Sequence, residues 1–362
     1  MSKEESICAV AWRQQIVRCI LAWFAKAARD LPWRRERNPY SVWISEIMLQ
    51  QTQVNTVIPY FQRWMRRFPN VRTVASAPLQ EVLKFWEGLG YYTRARQLHR
   101  AAQILVGEHG GELPSSHTDW LALPGIGPYT AGAICSISFD QPTPILDGNV
   151  IRVLARAFGI AHEPQSGEGK KKFWQLAELL VQTAAAIGPG NAGALNEALM
   201  ELGATICVPR LPHCAECPIR NNCFAFKRDE QQNLPNLARR PKTTSRFFHA
   251  FVLDRNNRVL VRQRPARVVN GGLWEFPNHE VGSTDAKVLF KGLPARKFTP
   301  ITTIRHAITR YRITMQVFRA NIGRTTPIPE FAGEWRRIDD LKDLPFPSAH
   351  KRIVKLLSAR EE

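Results

Sequence analysis

The stretch Leu123-Pro124-Gly125-Ile126-Gly127-Pro128-Tyr129, followed by Thr130-Ala131-Gly132-Ala133, decides how this chain is read. Gly125 and Gly127 can take positive φ and put no Cβ in the way of an approaching backbone. Pro128 suits the first turn of a following helix, whose free amide hydrogens and dipole face an anion. Thr118 to Leu123 supply a helix before the turn. Such a hairpin between two helices is aimed at phosphate. A glycine-rich turn is also a common connector, so its meaning depends on the residues downstream of it. Those are Leu146-Asp147-Gly148-Asn149-Val150 and then four cysteines.

The cysteines are Cys207, Cys214, Cys217 and Cys223, with six, two and five residues between successive members. Four thiolates on one short segment can wrap the irons of a cubane, and they suit tetrahedral zinc as well. Paired spacing would favour zinc, and this uneven order favours [4Fe–4S]. Disulfides fit an oxidising compartment, and nothing near Met1 reads as a secretory signal, since Glu4 and Glu5 stand where positive charge is needed. Cys8, Cys19 and Cys135 lie in apolar helical stretches and read as small hydrophobes.

The chain of 362 residues is long enough for two domains and carries a formal charge of +19. Residues 1–230 hold 25 Lys and Arg against 20 Asp and Glu, and residues 231–362 hold 25 against 11. A net +14 in the second part points to a polyanion, because cations that neutralise phosphates release counterions. The longest apolar stretches, such as Ala131 to Phe139, are too short to span a membrane. No repeat of solenoid period is visible.

Helical periodicity fills residues 1–230. Val10, Val17, Leu21 and Phe24 mark one face of a first helix. Further helices are expected at Ser41–Thr52, Thr56–Arg67, Leu79–Glu87, Arg94–Glu108, Pro128–Phe139, Gly148–Phe158, Lys172–Ala186 and Ala192–Thr205. Residues 231–245 read as a basic linker. Strands are then expected at Phe247–Leu253, Val259–Val261, Ile301–Ile304 and Ile313–Phe318, with a closing helix over His350–Leu357. The fold class is therefore an all-α domain followed by an α+β domain.

Hairpin, downstream Asp147 and terminal cysteine loop together resemble the helix-hairpin-helix DNA glycosylase superfamily, which includes endonuclease III. Within it the chain is most similar to the adenine DNA glycosylase (MutY-type) family. The segment Trp43-Ile-Ser-Glu-Ile-Met-Leu-Gln-Gln-Thr-Gln-Val54 carries most of the likeness, with Gly88-Leu-Gly-Tyr-Tyr-Thr-Arg-Ala-Arg96 close behind. The resemblance covers almost the whole chain, strongly to residue 226. It implies a helical catalytic domain over 1–230, with the hairpin at about 118–139 and an Fe–S loop at 207–223. A Nudix-like lesion-recognition domain comes next, over 246–362. The implied reaction is hydrolysis of the N-glycosidic bond of adenine mispaired with 8-oxoguanine or guanine in duplex DNA, by a monomer. The implied compartment is the bacterial cytoplasm and nucleoid, or a eukaryotic nucleus or mitochondrion.

Breaking an N-glycosidic bond requires an acid for the departing base and an anion near the cationic sugar. The resemblance assigns these to Glu46 and Asp147. Apolar Ile44, Ile47, Met48 and Leu49 around Glu46 favour a raised pKa. A helical Glu ordinarily sits in solvent, and an Asp before a helix is ordinarily an N-cap; Asp147 can do both jobs. Bifunctional relatives place a nucleophilic Lys where this chain has Tyr129, which implies excision without efficient strand cleavage. Gln51, Thr52 and Tyr91 match positions that wedge the duplex and hold the extruded nucleotide. Asn149 matches a partner of Asp147. Arg94, Arg96 and Arg100 read either as phosphate contacts or as a solvated helix face.

Residues 246–280 resemble the start of a Nudix fold, ending in Gly271-Gly272-Leu-Trp-Glu-Phe-Pro277. The carboxylate-rich helix that would hold magnesium is missing, with only Glu280 and Asp285 nearby, so the domain reads as a binding module. The family's Phe-Ser-His recognition loop is replaced by Ile308-Thr309-Arg310, which keeps a hydroxyl at Thr309. The rivals are a pyrimidine-excising relative and a non-catalytic Fe–S DNA-binding protein. The Trp43–Val54 segment argues against the first, and the joint presence of Glu46 and Asp147 against the second.

Overall fold

The computed structural model describes residues 10–238, 242–266, 268–282, 290, 297–308, 310–323 and 333–359. The chain divides into two compact units. One comprises Met1–Ser76 and Arg100–Arg239, the other Ala77–His99 and Arg240–Glu362. Residues 77–99, which sequence reading groups with the rest of 1–230, thus pack with the C-terminal part. Part of the expected linker is docked as well: Leu234 is buried in the helical core, and its main-chain oxygen accepts from Arg156 Nε at 3.0 Å.

The first unit is built from α1 (Val10–Ala27), α2 (Pro32–Arg35), α3 (Pro39–Leu49), α4 (Val54–Arg67) and α5 (Val71–Ser76). After residues 77–99 it continues with the later part of a helix spanning Thr93–Glu108. Then come α8 (His117–Ala122), α9 (Pro128–Phe139), α10 (Gly148–Phe158), α11 (Gly167–Ile187), α12 (Asn191–Thr205) and α13 (Phe224–Arg228). The second unit contains α6 (Leu79–Trp86) and the start of α7, the helix Thr93–Glu108. The buried stripe of α1 is Ile16, Val17, Ile20 and Phe24; Val10, expected on that face, is 57% exposed. At the other extreme, α3 is buried without a break from Tyr40 to Met48, so it has no solvent face to carry a charge.

Helix ends follow from local chemistry. Asn38 caps α3 by accepting from Ser41 N at 2.8 Å, and Pro39 opens the helix. Asp147 caps α10, which stops at Gly159 in the left-handed region. Gly132 and Gly193 mark close approaches of backbone, the first to a loop and the second to a helix: a Cβ on Gly132 would lie 2.2 Å from the Pro144 oxygen, and one on Gly193 2.4 Å from the Ser136 oxygen.

The second unit also holds a mixed sheet of β1 (Thr244–Arg255), β2 (Arg258–Gln263), β3 (Trp274–Glu275), β4 (Asn278–Val281), β5 (Thr299–Ile308), β6 (Tyr311–Asn321) and β7 (Glu334–Arg337), followed by α14 (Ser348–Ser358). The main path runs β3-β2-β1-β6-β5, with β4 on β1 and β7 on β2. Strand β1 runs parallel to β6 along its whole length, from Thr244 opposite Tyr311 to Asp254 opposite Asn321. Both its faces are covered: Ala250 and Val252 enter one core with Ile353 and Leu357 of α14, while Phe251 and Leu253 enter another with Phe298 and Phe318. That is why Ala250 to Asp254 are buried in an unbroken run rather than alternately.

Candidate active site

A cleft of about 500 Å³ opens in the helical unit. Its wall includes Glu46, Gln51, Thr52, Tyr129, Asp147 and Asn149, six of the residues singled out from sequence. Glu46 projects from the middle of α3 and is only 4% exposed. Burial pushes its carboxyl up to about 7; the Tyr129 hydroxyl opposes this, and the charges of Asp147 and Glu197 add to it. Tyr129 stands in the first turn of α9 and donates its hydroxyl to Glu46 Oε2; the same oxygen lies 3.2 Å from Met200 Sδ.

Asp147 shares its two oxygens between two donors. Val150 N donates to Oδ1 at 2.7 Å, the capping bond of α10, and Asn149 Nδ2 donates to Oδ2 at 2.9 Å. Burial raises its pKa, while these hydrogen bonds favour the charged form. Arg152, one turn on, donates to Asn149 Oδ1 at 2.8 Å, to the Gly203 oxygen at 2.7 Å and to the Cys207 oxygen at 2.6 Å. One guanidinium therefore connects the Asp147 pair to the main chain of a loop cysteine. Sequence reading passed over Arg152 because an Arg inside an amphipathic helix carries no motif.

It also missed the opposite wall. Glu197 and Glu201 lie one turn apart on α12 and are buried to 3% and 1% exposure. Arg29 grips Glu201 with bonds of 2.6 and 2.8 Å, and Arg34 bridges Glu197 and Glu201 at 3.1 Å each. Burial works against ionisation of both acids. For Glu201 the hydrogen bonds from Arg29 and the charge of Arg34 prevail and hold it below the usual range; Glu197 remains raised. Two carboxylates at i, i+4 within Leu195-Asn-Glu-Ala-Leu-Met-Glu-Leu202 were the available signal, because they share a helix face with apolar neighbours.

The hairpin lies between α8 and α9. Gly125 takes φ +79°, as expected, but Gly127 does not use the left-handed region. It is extended, with φ −104°, and serves as N-cap of α9 without a side-chain bond. Its value is open space, since a Cβ there would meet nothing within 4 Å. Gln51 sits exposed at φ +57° just beyond α3.

Tyr91 and Tyr92 lie in the second unit, in the turn between α6 and α7. Tyr91 is 46% exposed with φ +47°, whereas Tyr92 is buried and its hydroxyl accepts from Gly88 N at 3.2 Å. Of the three arginines read as phosphate contacts or a solvated face, Arg94 and Arg96 are half-buried and Arg100 is exposed. Arg94 donates to the oxygens of Leu89 and Gly90, and Arg96 to that of Gly271. Arg96 also donates to Thr93 Oγ1 at 2.9 Å. Thr309 and Asp285 fall outside the described residues.

All four loop cysteines line one hollow of about 20 Å³, together with Arg156, Ile206, Pro212, Arg220, Phe226 and Gln231, and none is in a disulfide. Buried Arg156 reaches Cys207 Sγ at 3.5 Å and the oxygens of Val208 at 2.7 Å and Pro209 at 3.1 Å. Among the described residues no three His, Cys, Asp or Glu side chains close on a single ion.

Residues 44–179 match the model of the HhH-GPD superfamily of base excision DNA repair proteins, and residues 249–356 match the NUDIX domain. Together with the cleft, this places the chain among helix-hairpin-helix base excision repair glycosylases. The adenine DNA glycosylase of Rattus norvegicus is 33% identical, over 94% of this chain and 77% of its own length. That of Buchnera aphidicola (subsp. Schizaphis graminum) is 31% identical, over 93% and 97%. Among solved structures, a thermostable thymine-DNA glycosylase is 30% identical with a TM-score of 0.54, over 60% of this chain and 97% of that one. The chain belongs to the adenine DNA glycosylase family.

Proposed function

We propose that this protein hydrolyses the N-glycosidic bond of adenine mispaired with 8-oxoguanine or guanine in duplex DNA, working as a monomer and leaving an abasic site. The observation that carries this reading is the buried Glu46 sharing its cleft with Asp147. Glu46, with a pKa raised to about 7, has a proton to give near neutrality. It protonates a ring nitrogen of the extruded adenine, so the electron pair of the C1′–N9 bond leaves with a neutral base. The sugar cation forms beside the Asp147 carboxylate, whose negative charge stabilises it. Water then adds at C1′ and loses its proton to Glu46, which restores the acid.

Tyr129 cannot form the Schiff base that precedes strand cleavage. Product strands should therefore stay intact until alkali is added, and borohydride should trap little covalent complex. Gly125, Gly127 and the start of α9 serve the phosphate backbone, Gln51, Thr52 and Tyr91 the extruded site, and Thr309 the opposite base.

Cys207, Cys214, Cys217 and Cys223 would hold a [4Fe–4S] cluster. Four thiols around one hollow are a donor set that fits such a group, and their uneven spacing favours it over mononuclear zinc. When bound, the cluster supplies cross-linking of the loop and positive charge for the thiolates. Iron and sulfide analysis of protein purified without oxygen tests this, and stoichiometric zinc with no iron would refute it.

The activity itself is tested with duplexes carrying adenine, thymine or cytosine opposite 8-oxoguanine or guanine, with and without alkali. Alkali-dependent breaks at adenine alone support the reading. Excision of thymine would instead align this chain with a pyrimidine-excising enzyme.

A further inference from the structure

Residues 77–99 group with the C-terminal part, and one buried acid joins several elements of that attachment. Glu87, at the end of α6, is 6% exposed. Its Oε1 accepts from Phe346 N at 2.9 Å, and its Oε2 pairs with Lys84 at 3.1 Å and with Lys351 of α14. Lys84 also donates to the Leu344 oxygen at 3.1 Å. Gln80, two turns earlier on α6, donates to the Gly272 oxygen at 3.0 Å and accepts from Trp274 Nε1 at 3.2 Å.

The residue after Glu87 begins the turn that presents Tyr91. That turn is held hard: Gly88, Gly90 and Tyr91 all have positive φ, and Trp86 Nε1 donates to the Gly90 oxygen at 3.1 Å. Arg94 stacks on both Trp86 and Tyr91, 5.3 and 5.6 Å from their ring centres. Exposed Tyr91 is therefore fixed relative to Glu87, and Glu87 relative to the sheet through Phe346 and Lys351. A non-glycine residue kept in the left-handed region needs its surroundings to hold it there.

We propose that Glu87 is a positioning residue for opposite-base discrimination, tying the Tyr91 turn to the sheet so that reading the opposite base and wedging the duplex are one coupled event. The proposal rests on the function set out above, with Tyr91 as wedge and the C-terminal module as reader. A rigid element whose position both events bias is the physical requirement for such coupling. Lys84 reaches both Glu87 and the Leu344 oxygen, whereas Lys351 on α14 meets Glu87 from the C-terminal part alone, so Lys351 can be loosened separately.

The test uses the full chain with its metal group. Single-turnover excision of adenine is measured opposite 8-oxoguanine and opposite guanine for the parent protein, Glu87→Gln and Lys351→Met. Unstacking is followed by 2-aminopurine fluorescence in the same duplexes. The ratio of the 8-oxoguanine rate to the guanine rate is expected to fall about tenfold in both variants, within the span usual for such couplings, and the unstacking signal opposite 8-oxoguanine to fall with it. If Glu87→Gln folds poorly, Lys351→Met decides, since it leaves Glu87 paired with Lys84. A loss of rate that is equal for both duplexes, or an unchanged ratio, overturns the proposal and marks the tie as merely structural. A parent protein that excises adenine opposite neither base overturns the function instead.

Discussion

Glu46 and Glu275 are both buried glutamates, one in each unit, at 4% and 2% exposure. Glu275 sits on β3 with Arg262 at 2.9 Å, Arg264 also paired to it and Asn278 at 2.8 Å. Burial alone would raise its pKa, but the charge of Arg264 and the hydrogen bonds outweigh it and hold the carboxylate below its usual range. Glu46 has the same burial with a phenol for a partner and other acids for company, and its pKa rises. A buried acid answered by cations is part of the frame, and one left among acids keeps a usable proton. At Glu46 the Tyr129 hydrogen bond and the charge of Arg34 do not overcome burial, whereas at Glu275 the arginines do.

The largest expected effect is on Glu46. Glu46→Gln should lower single-turnover excision by about a thousandfold or more, while gel-shift affinity for a mispaired duplex persists. Near-parent rates would remove Glu46 from the mechanism and with it the contrast with Glu275.

Shortening the chain to residues 1–237 keeps Glu46 and removes Glu275 with its whole sheet. The endpoint follows from Leu234, which the helical core needs. Excision should slow by about tenfold, on the scale of a bound substrate held less well in place, and the advantage of 8-oxoguanine over guanine should shrink. The salt dependence of binding should flatten as well, because counterion release falls with the lost cations. Retention of the full preference would move opposite-base reading into the helical unit.

Arg152→Met should reduce excision by about tenfold, on the scale of losing a partner that orients a reacting group. Binding should change less, since the side chain holds Asn149 and the Cys207 main chain rather than facing solvent. Equal loss of binding and excision would make Arg152 a DNA contact.

The last effect is thermodynamic, with no direct bearing on rate, and opposite in sign for the two acids. Glu46 has a folded pKa raised from 4.5 to about 7, so its contribution is present below 4.5 and lost as pH rises to 7. Glu46→Gln should therefore be more stable than the parent at pH 8, by about 3–4 kcal/mol given roughly 1.4 kcal/mol per pKa unit. Glu275 has a depressed pKa, so its contribution is present above the unfolded value and lost as pH falls through the folded one. Glu275→Gln should destabilise by about 1–3 kcal/mol at neutral pH, less than a fully buried pair because both arginines are partly exposed. Denaturant melts across pH check both signs, and parallel trends would dissolve the comparison.

The parts of the fold legible in the sequence are those written in local signals. Pro128–Phe139 and Gly148–Phe158 begin and end where they were expected, because Gly127, Pro128, Asp147 and Gly159 mark their ends by backbone chemistry. The cleft was half legible. Residues inside motifs were found, but Arg29, Arg34, Glu197 and Glu201 come together only when α12 meets the segment after α1. The short strands β3, β4 and β7 are too brief to show an alternating pattern, and their places depend on β1 and β2. The grouping of residues 77–99 with the sheet is a long-range contact with no local signature.

The bond from Val150 N to Asp147 Oδ1 has an implication for how this position varies. A helix start accepts Asn, Ser or Thr about as well as Asp. If α10 needed only a cap, residue 147 would be free to drift among those four with little harm to folding. On the proposed mechanism only the ionised side chain would serve the sugar cation, so a chain without that chemistry could lose the aspartate and still fold. Asp147→Asn should accordingly give a folded, inactive protein, whereas Asp147→Ala should weaken the helix as well. On that mechanism the identity of residue 147, together with Glu46, would separate a working enzyme from a descendant that merely binds DNA.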